Sequence, residues 1–189
     1  MLLWGTGPWD RAVYEALYAG NRPVLLAIAH FFTLLGEPTM LIAASVLCAL
    51  WLWHIGRARL GATLFLVALV GRGMSEVQKY AIGRPRPELE QHLVHVKTSS
   101  FPSGHATSSM IFYLALALAL TAHTRGHRSA VSGAIILSLL IGTSRVMLGV
   151  HWPSDVIGGW AFGMLWVLLT LKPLEHWLRT DLDRRQPAL

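Results

Sequence analysis

Charged residues and cysteine are both scarce in this sequence. Only 14% of its 189 residues are charged, against roughly 25% in an ordinary soluble domain. The single cysteine, Cys48, excludes a disulfide framework and a zinc site built from cysteines. Intrinsic disorder is excluded as well, because 53% of the residues are hydrophobic. The composition therefore indicates a polytopic membrane protein.

Apolar segments long enough to form membrane helices fill most of the chain. A bilayer core of roughly 30 Å needs about 20 apolar residues per helix. Residues 10–20 come first and predict a short amphipathic helix at the membrane interface, with Asp10 as its N-cap. We predict an all-α, single-domain protein over residues 1–189, with six transmembrane helices after that interfacial helix. The six segments are 23–35, 39–53, 60–82, 105–122, 130–148 and 153–171.

Basic residues are distributed unevenly between the two sides that these six spans define. The net charge is +6, and the excess lies around residues 57–59, around 125–128 and after residue 171. The positive-inside rule then predicts that both termini are cytoplasmic and that segment 84–104 lies outside. In a bacterial inner membrane, outside means the periplasm. No basic surface is continuous enough to predict nucleic-acid binding, and the sequence does not indicate an oligomeric state.

A few ionisable residues lie inside the predicted spans. Such residues are costly in a bilayer and mark functional sites by default. Lys79 and Arg145 lie near the outer ends of their spans. Arg72 and Glu76 are four residues apart and can pair on one helix face. The roles of this pair and of His30 are left open.

The first pattern with phosphate chemistry begins at Lys79. It continues through Arg84-Pro85 and Arg86-Pro87. A lysine acts as a point charge and an arginine as a planar fork, and together they suit a phosphate. The alternative is a lysine at the membrane edge followed by an ordinary basic loop.

The second pattern is Pro102-Ser103-Gly104-His105, directly before the fourth span. Ser103 is a natural helix cap, and Gly104 allows close approach of the backbone to a ligand. Free N–H groups and the helix dipole favour an anion there. His105 adds a titratable proton donor. The alternative is a capped helix start with an incidental histidine.

The third pattern joins Arg145 to His151 and Asp155. A carboxylate can accept a proton from one imidazole nitrogen and leave the other nitrogen free to attack a substrate. Alternatively, Asp155 only stabilises the N-terminus of its own helix. That alternative does not account for Arg145 or His151.

Together these patterns resemble the three-part signature of the type 2 phosphatidic acid phosphatase superfamily. The order, the spacings and the intervals between the motifs all agree over residues 79–155. The family's spacing selects Arg86 rather than Arg84, so we expect Arg84→Ala to have a mild effect. The matching residues are Lys79, Arg86, Pro87, Pro102, Ser103, Gly104, His105, Ser144, Arg145, His151 and Asp155.

The resemblance implies an integral-membrane phosphatase that uses no metal and no cofactor. In the family, the histidine matching His151 attacks phosphorus and forms a phosphohistidine, and the aspartate matching Asp155 orients it. The histidine matching His105 protonates the leaving oxygen. The phosphoryl oxygens are held by the positions matching Lys79, Arg86, Ser103, Gly104 and Arg145.

The expected substrate is a lipid phosphate in the outer leaflet. Candidates are undecaprenyl pyrophosphate, phosphatidylglycerophosphate, phosphatidic acid and lipid A phosphates. A lipid-to-lipid phosphotransferase would use the same site with a different acceptor. The vanadate-dependent haloperoxidases share the anion site, but they are soluble. A lipid transporter or flippase is less favoured, because the polar groups gather at one face rather than at the midplane.

Overall fold

The structure is a computed structural model that describes residues 7–122 and 124–185, with side chains up to Leu171. This part of the chain is entirely helical, with no strand. The all-α prediction is therefore confirmed for it. The helices are α1 (Pro8–Leu17), α2 (Pro23–Leu35), α3 (Pro38–His54), α4 (Ala58–Ile82), α5 (Gly104–Thr121), α6 (His127–Met147) and α7 (Pro153–Arg185).

Proline and glycine define several helix boundaries. Pro8, Pro23, Pro38 and Pro153 each occupy the first turn of a helix, where the missing N–H costs nothing and φ is already helical. Gly83 ends α4 in the left-handed conformation, with φ of 61°. It turns the chain from α4 into a long loop, residues 84–103, that crosses one end of the bundle.

Helix α5 lies at the centre of the bundle, against α4, α6 and α7. Glycines allow α7 to approach it closely. A Cβ at Gly159 would come within 2.9 Å of the Ser103 carbonyl oxygen, and one at Gly163 within 2.9 Å of the Thr107 carbonyl oxygen. The outward surface keeps large apolar side chains such as Leu169 exposed. This is the pattern of a helical bundle that faces lipid.

The number of membrane crossings differs from the predicted six. Within the described residues, four helices are long and apolar enough to cross: α4, α5, α6 and the Pro153–Leu171 part of α7. Helices α2 and α3 have 13 and 17 residues, and α2 alone spans only about 20 Å. They meet at a 41° bend and can form one broken span. The structure therefore supports four or five crossings.

The position of α1 follows from its contacts and corrects the predicted topology. The Tyr18 hydroxyl donates to the Gln91 carbonyl at 2.8 Å, and the Ala19 N–H donates to the Met147 carbonyl at 2.9 Å. These contacts place the N-terminal helix at the same end as loop 84–103. Helix α7 runs from that end to Leu171, which belongs to the same buried cluster as Leu52 and Leu64 near the other end. The prediction that both ends of the chain lie on one side, opposite the loop, is therefore wrong for α1.

Candidate active site

All predicted site residues lie at one end of the bundle. Helices α4 and α6 finish there, α5 and α7 begin there, and loop 84–103 covers the end. The alternating direction of these helices brings together residues that are far apart in sequence. The residues gathered there are Lys79, Arg86, Ser103, Gly104, His105, Arg145, His151 and Asp155.

His151 and Asp155 form the most deeply buried pair of the site, with 2% and 0% exposure. The His151 Nδ1 atom lies 3.6 Å from Asp155 Oδ2, which is longer than a hydrogen bond. The Ser100 hydroxyl donates to that same oxygen at 2.5 Å and lies 3.4 Å from Nδ1. The Trp152 N–H also donates to it, at 2.9 Å. Ser100 therefore bridges His151 and Asp155. No feature of the sequence around Ser100 predicted this role.

The tautomer of His151 follows from its second contact. Its Nε2 atom lies 3.3 Å from Nη1 of Arg86. A guanidinium can only donate, so Nε2 must accept and the proton must sit on Nδ1. Burial, reinforced by the positive charges of Arg86, Arg145 and Lys79, holds the pKa of His151 well below its usual value. The imidazole is therefore neutral, and the free lone pair of its Nε2 atom points toward Arg86.

Backbone carbonyls of the loop and of the turn before α7 hold two of the cations. Arg86 donates from Nε to the Thr98 carbonyl at 2.7 Å and from Nη1 to the Val150 carbonyl at 2.6 Å. Lys79 donates from Nζ to the Ser99 carbonyl at 2.9 Å. Burial lowers the pKa of Arg86 to about 10, so it stays charged at neutral pH.

The start of α5 offers room beside these cations. Ser103 occupies the N-cap position, but its hydroxyl makes no capping bond and is buried without a partner. The predicted side-chain cap is therefore absent. A Cβ at Gly104 would lie 3.8 Å from both Lys79 Cε and Arg72 Nη1. The missing side chain leaves space between two cations and a helix N-terminus, where an anion is favoured.

His105 and Arg145 complete this side of the site. Arg145 donates from Nη1 to the Thr33 hydroxyl at 2.6 Å, while its Nε is buried without a partner. His105 Nε2 has no hydrogen-bond partner either, although Glu37 Oε2 lies 3.4 Å away. An unpaired buried donor costs about 1–3 kcal/mol. Of the five such atoms among the described residues, three belong to Ser103, His105 and Arg145, so an anion there would gain partners already in place.

Arg84 is a buried cation that pairs with two carboxylates, so we now expect its removal to have a larger effect than the motif spacing predicts. It is 2% exposed. It donates from Nη1 to Asp155 Oδ1 at 2.5 Å and from Nη2 to Asp10 Oδ2 at 2.8 Å. Motif spacing selects Arg86 over its neighbour Arg84. It does not show which residue neutralises the buried carboxylate.

Asp10 caps a distant helix rather than its own. Helix α1 begins at Pro8 with Gly7 as N-cap, so the predicted N-cap role of Asp10 is wrong. Its carboxylate accepts from the Ser154 N–H at 2.8 Å and from the Ser154 hydroxyl at 2.6 Å. Asp10 thus caps the start of α7 and also pairs with Arg84. A partner 144 residues away leaves no local sequence signal.

Helices and loop together present mainly positive charge to the space around His151 Nε2. The described residues contain no group of three or more His, Cys, Asp or Glu side chains placed to hold a metal ion. An arrangement of a neutral imidazole, fixed cations and unpaired donors can bind a phosphoryl group and attack its phosphorus.

Known proteins share both the sequence pattern and the fold. Residues 58–177 match the sequence profile of the PAP2 superfamily. The chain is 31% identical over 160 residues to phosphatidylglycerophosphatase B of Bacillus subtilis, covering 82% of this chain and 78% of that protein. It is 37% identical over 120 residues to lipid A 1-phosphatase of Rhizobium johnstonii, covering 59% of this chain and 46% of that protein.

The fold comparison extends over nearly the whole chain. The crystal structure of a transmembrane PAP2 type phosphatidylglycerolphosphate phosphatase from Bacillus subtilis superimposes with a TM-score of 0.83 and 30% sequence identity. The match covers 89% of this chain and 85% of that one.

Proposed function

Because this chain belongs to the PAP2 superfamily, we propose that it is a membrane lipid phosphatase that works through a phosphohistidine intermediate. One observation carries the mechanism: the buried, neutral His151 turns its free nitrogen toward a space lined by cations and unpaired donors. Phosphoryl transfer needs mainly in-line positioning and neutralisation of the phosphoryl oxygens. This arrangement supplies both.

In the first step, the phosphoryl group binds between the loop and α5. Lys79, Arg86 and Arg145 neutralise its oxygens, and the Ser103 hydroxyl and the Gly104 N–H donate to them. His151 Nε2 then attacks phosphorus, and an N–P bond forms as the bond to the leaving oxygen breaks. The buried carboxylate beside Nδ1 stabilises the imidazolium that develops. His105 donates a proton to the leaving oxygen.

In the second step, water attacks the phosphorus of phosphohistidine. His105, now neutral, accepts a proton from that water, the N–P bond breaks and inorganic phosphate leaves. The half-exposed Glu37 lies close enough to His105 to exchange a proton with it. The same two histidines therefore act in both steps.

The site is proposed to face the periplasmic side of a bacterial inner membrane. The support is the charge of the opposite end of the bundle. The turns that join α3 to α4 and α5 to α6 lie there, and these turns and the first turns of α4 and α6 carry Arg57, Arg59, Arg125 and Arg128. Basic loops of this kind mark the cytoplasmic side.

Phosphate release from four lipids tests this function. The lipids are undecaprenyl pyrophosphate, phosphatidylglycerophosphate, phosphatidic acid and a lipid A phosphate, each with the purified protein in excess chelator. We expect release from at least one lipid, and none above background with His151→Ala. Strict dependence on added Mg²⁺, or full activity of His151→Ala, would overturn the proposal. A parallel reaction with an acceptor lipid detects phosphotransfer as a phosphorylated acceptor.

A further inference from the structure

Arg72 lies beside the phosphate site, although the signature does not include it. It precedes Lys79 by seven residues on α4, so its Cα is about 10 Å further into the bundle. Its Nη1 atom nevertheless faces Gly104. A Cβ built on Gly104 would lie 3.8 Å from this atom and also 3.8 Å from Lys79 Cε. The two cations therefore border the same space, with Arg72 on its membrane side.

The contacts of Arg72 hold its side chain in this position but do not use all of its hydrogen-bond donors fully. Nη2 donates to Glu76 Oε1 at 3.0 Å, whereas Nη1 makes only a long 3.5 Å contact with the Ser108 hydroxyl. About a quarter of the side chain, 27%, is exposed. The edge of the guanidinium that faces Gly104 can thus exchange a weak contact for a strong one.

An apolar groove begins at Arg72 and Ser108. It lies between α3, α4 and α5, and its walls include Leu41, Phe65 and Phe112. Arg72 and Ser108 form its polar end, next to Gly104. A lipid whose chain lies in this groove and whose phosphate reaches His151 must pass its linking group beside Arg72.

We propose that Arg72, with Ser108, binds a second phosphoryl group of the substrate, on the chain side of the phosphate attacked by His151. The preferred substrates are then lipids with two phosphoryl groups in series, rather than lipids with a single phosphate. This inference rests on the proposed function, because it assumes attack on the outer phosphate. In a lipid diphosphate, the P–O bond that breaks leaves its electron pair on the inner phosphate, and Arg72 stabilises that charge.

Two matched pairs of lipids test this preference. One pair is phosphatidylglycerophosphate and phosphatidic acid with identical acyl chains, and the other is a polyprenyl diphosphate and its monophosphate. Arg72→Gln should lower kcat/KM about 10- to 100-fold for the lipid with two phosphoryl groups, the usual effect of a lost charged hydrogen bond. For the single-phosphate partner, we expect a change within about threefold.

Arg57→Gln is the matched control, because Arg57 is exposed at the opposite end of α4 and should leave both rates unchanged. Arg72→Lys keeps the positive charge but loses the planar guanidinium. It should lower the ratio of kcat/KM for the two-phosphoryl lipid to kcat/KM for the single-phosphate lipid by roughly 3- to 10-fold. The same variant provides the test if Arg72→Gln does not fold. An equal loss on both lipids, or a wild-type ratio in Arg72→Lys, would overturn the inference. A wild-type protein that hydrolyses none of the four lipids would instead overturn the proposed function.

Discussion

Two halves of the site differ in how fully their polar atoms are paired. Around Asp155, the side chains of Asp10, Arg84 and Ser100 are buried or nearly so, and they form hydrogen bonds of 2.5 to 2.8 Å. Around His105, buried atoms of Ser103 and Arg145 have no partner. We call these the nucleophile half and the leaving-group half.

This difference separates positioning from binding. A saturated network gains nothing from a ligand, but it fixes the nucleophile before the substrate arrives. A network with unpaired atoms is destabilised by about 1–3 kcal/mol for each such atom. A bound phosphoryl group can remove this destabilisation by forming hydrogen bonds with those atoms. Substitutions in the two halves should therefore affect different measurements.

The largest effect is expected at His151 in the nucleophile half. His151→Ala removes the atom that attacks phosphorus, so phosphate release should fall about 10⁴-fold or more, as for other lost nucleophiles. Thermal denaturation in detergent should still show a folded protein. Activity within tenfold of wild type would show that another group attacks.

Arg84 and Arg86 should separate stability from turnover. Arg84→Ala leaves the Asp10 and Asp155 carboxylates buried without their cation, which costs about 3–5 kcal/mol. Arg86→Ala should lower kcat about 10²- to 10³-fold, as for a lost electrostatic donor, with a smaller change in the denaturation midpoint.

Arg84→Lys serves as the rescue variant for this pair. By keeping the charge, it should recover part of the stability that Arg84→Ala loses. If Arg84→Ala is as stable as wild type, the account of the nucleophile half is wrong.

Two serines give a finer contrast. Ser100→Ala removes a hydroxyl bonded to Asp155, so the free energy of unfolding should fall by about 1–2 kcal/mol. Ser103→Ala removes a hydroxyl without a partner, so stability should be unchanged or higher. Its affinity for vanadate, measured by inhibition, should drop roughly tenfold. Equal destabilisation by both substitutions would contradict the distinction between the halves.

The smallest effect concerns pH. The native pKa of His151 lies well below its usual value, while the unfolded chain has a pKa of about 6.5. Below that pH, the unfolded state binds a proton that the native state does not. The stability that the neutral imidazole contributes is therefore present above about pH 6.5 and is lost as the pH falls.

Denaturation midpoints measured between pH 7.5 and 5 test this effect. They should fall more steeply for wild type than for His151→Ala. Parallel curves for the two proteins would show that the buried imidazole does not resist protonation.

The sequence predicts which signature residues lie together better than it predicts the residues that support them. Motif spacing placed Lys79, Arg86, His105 and His151 at one end of the bundle, and the structure brings them together there. The contacts of Arg84 and Asp10 were not predicted, because they join distant segments of the chain. Local patterns report propensity and periodicity, and they carry no signal for a partner 144 residues away.

The helices were also predicted better than their arrangement. The bounds of α4 to α6 agree with the predicted segments to within a few residues. The predicted six crossings are not confirmed, because residues 23–35 are apolar enough for a span but form a helix too short for one. The side of α1 was also predicted wrongly, because it depends on contacts with loop 84–103 that local sequence does not report.

The most direct test of the account is a burst experiment with His105→Ala and nitrophenyl phosphate. Nitrophenolate leaves without a proton, so His151 should still attack, whereas hydrolysis of the intermediate lacks its base. We predict a burst of about one nitrophenolate per protein and an acid-labile, alkali-stable phosphate on His151. Absence of the burst, or the same label in the double variant with His151→Ala, would contradict the account.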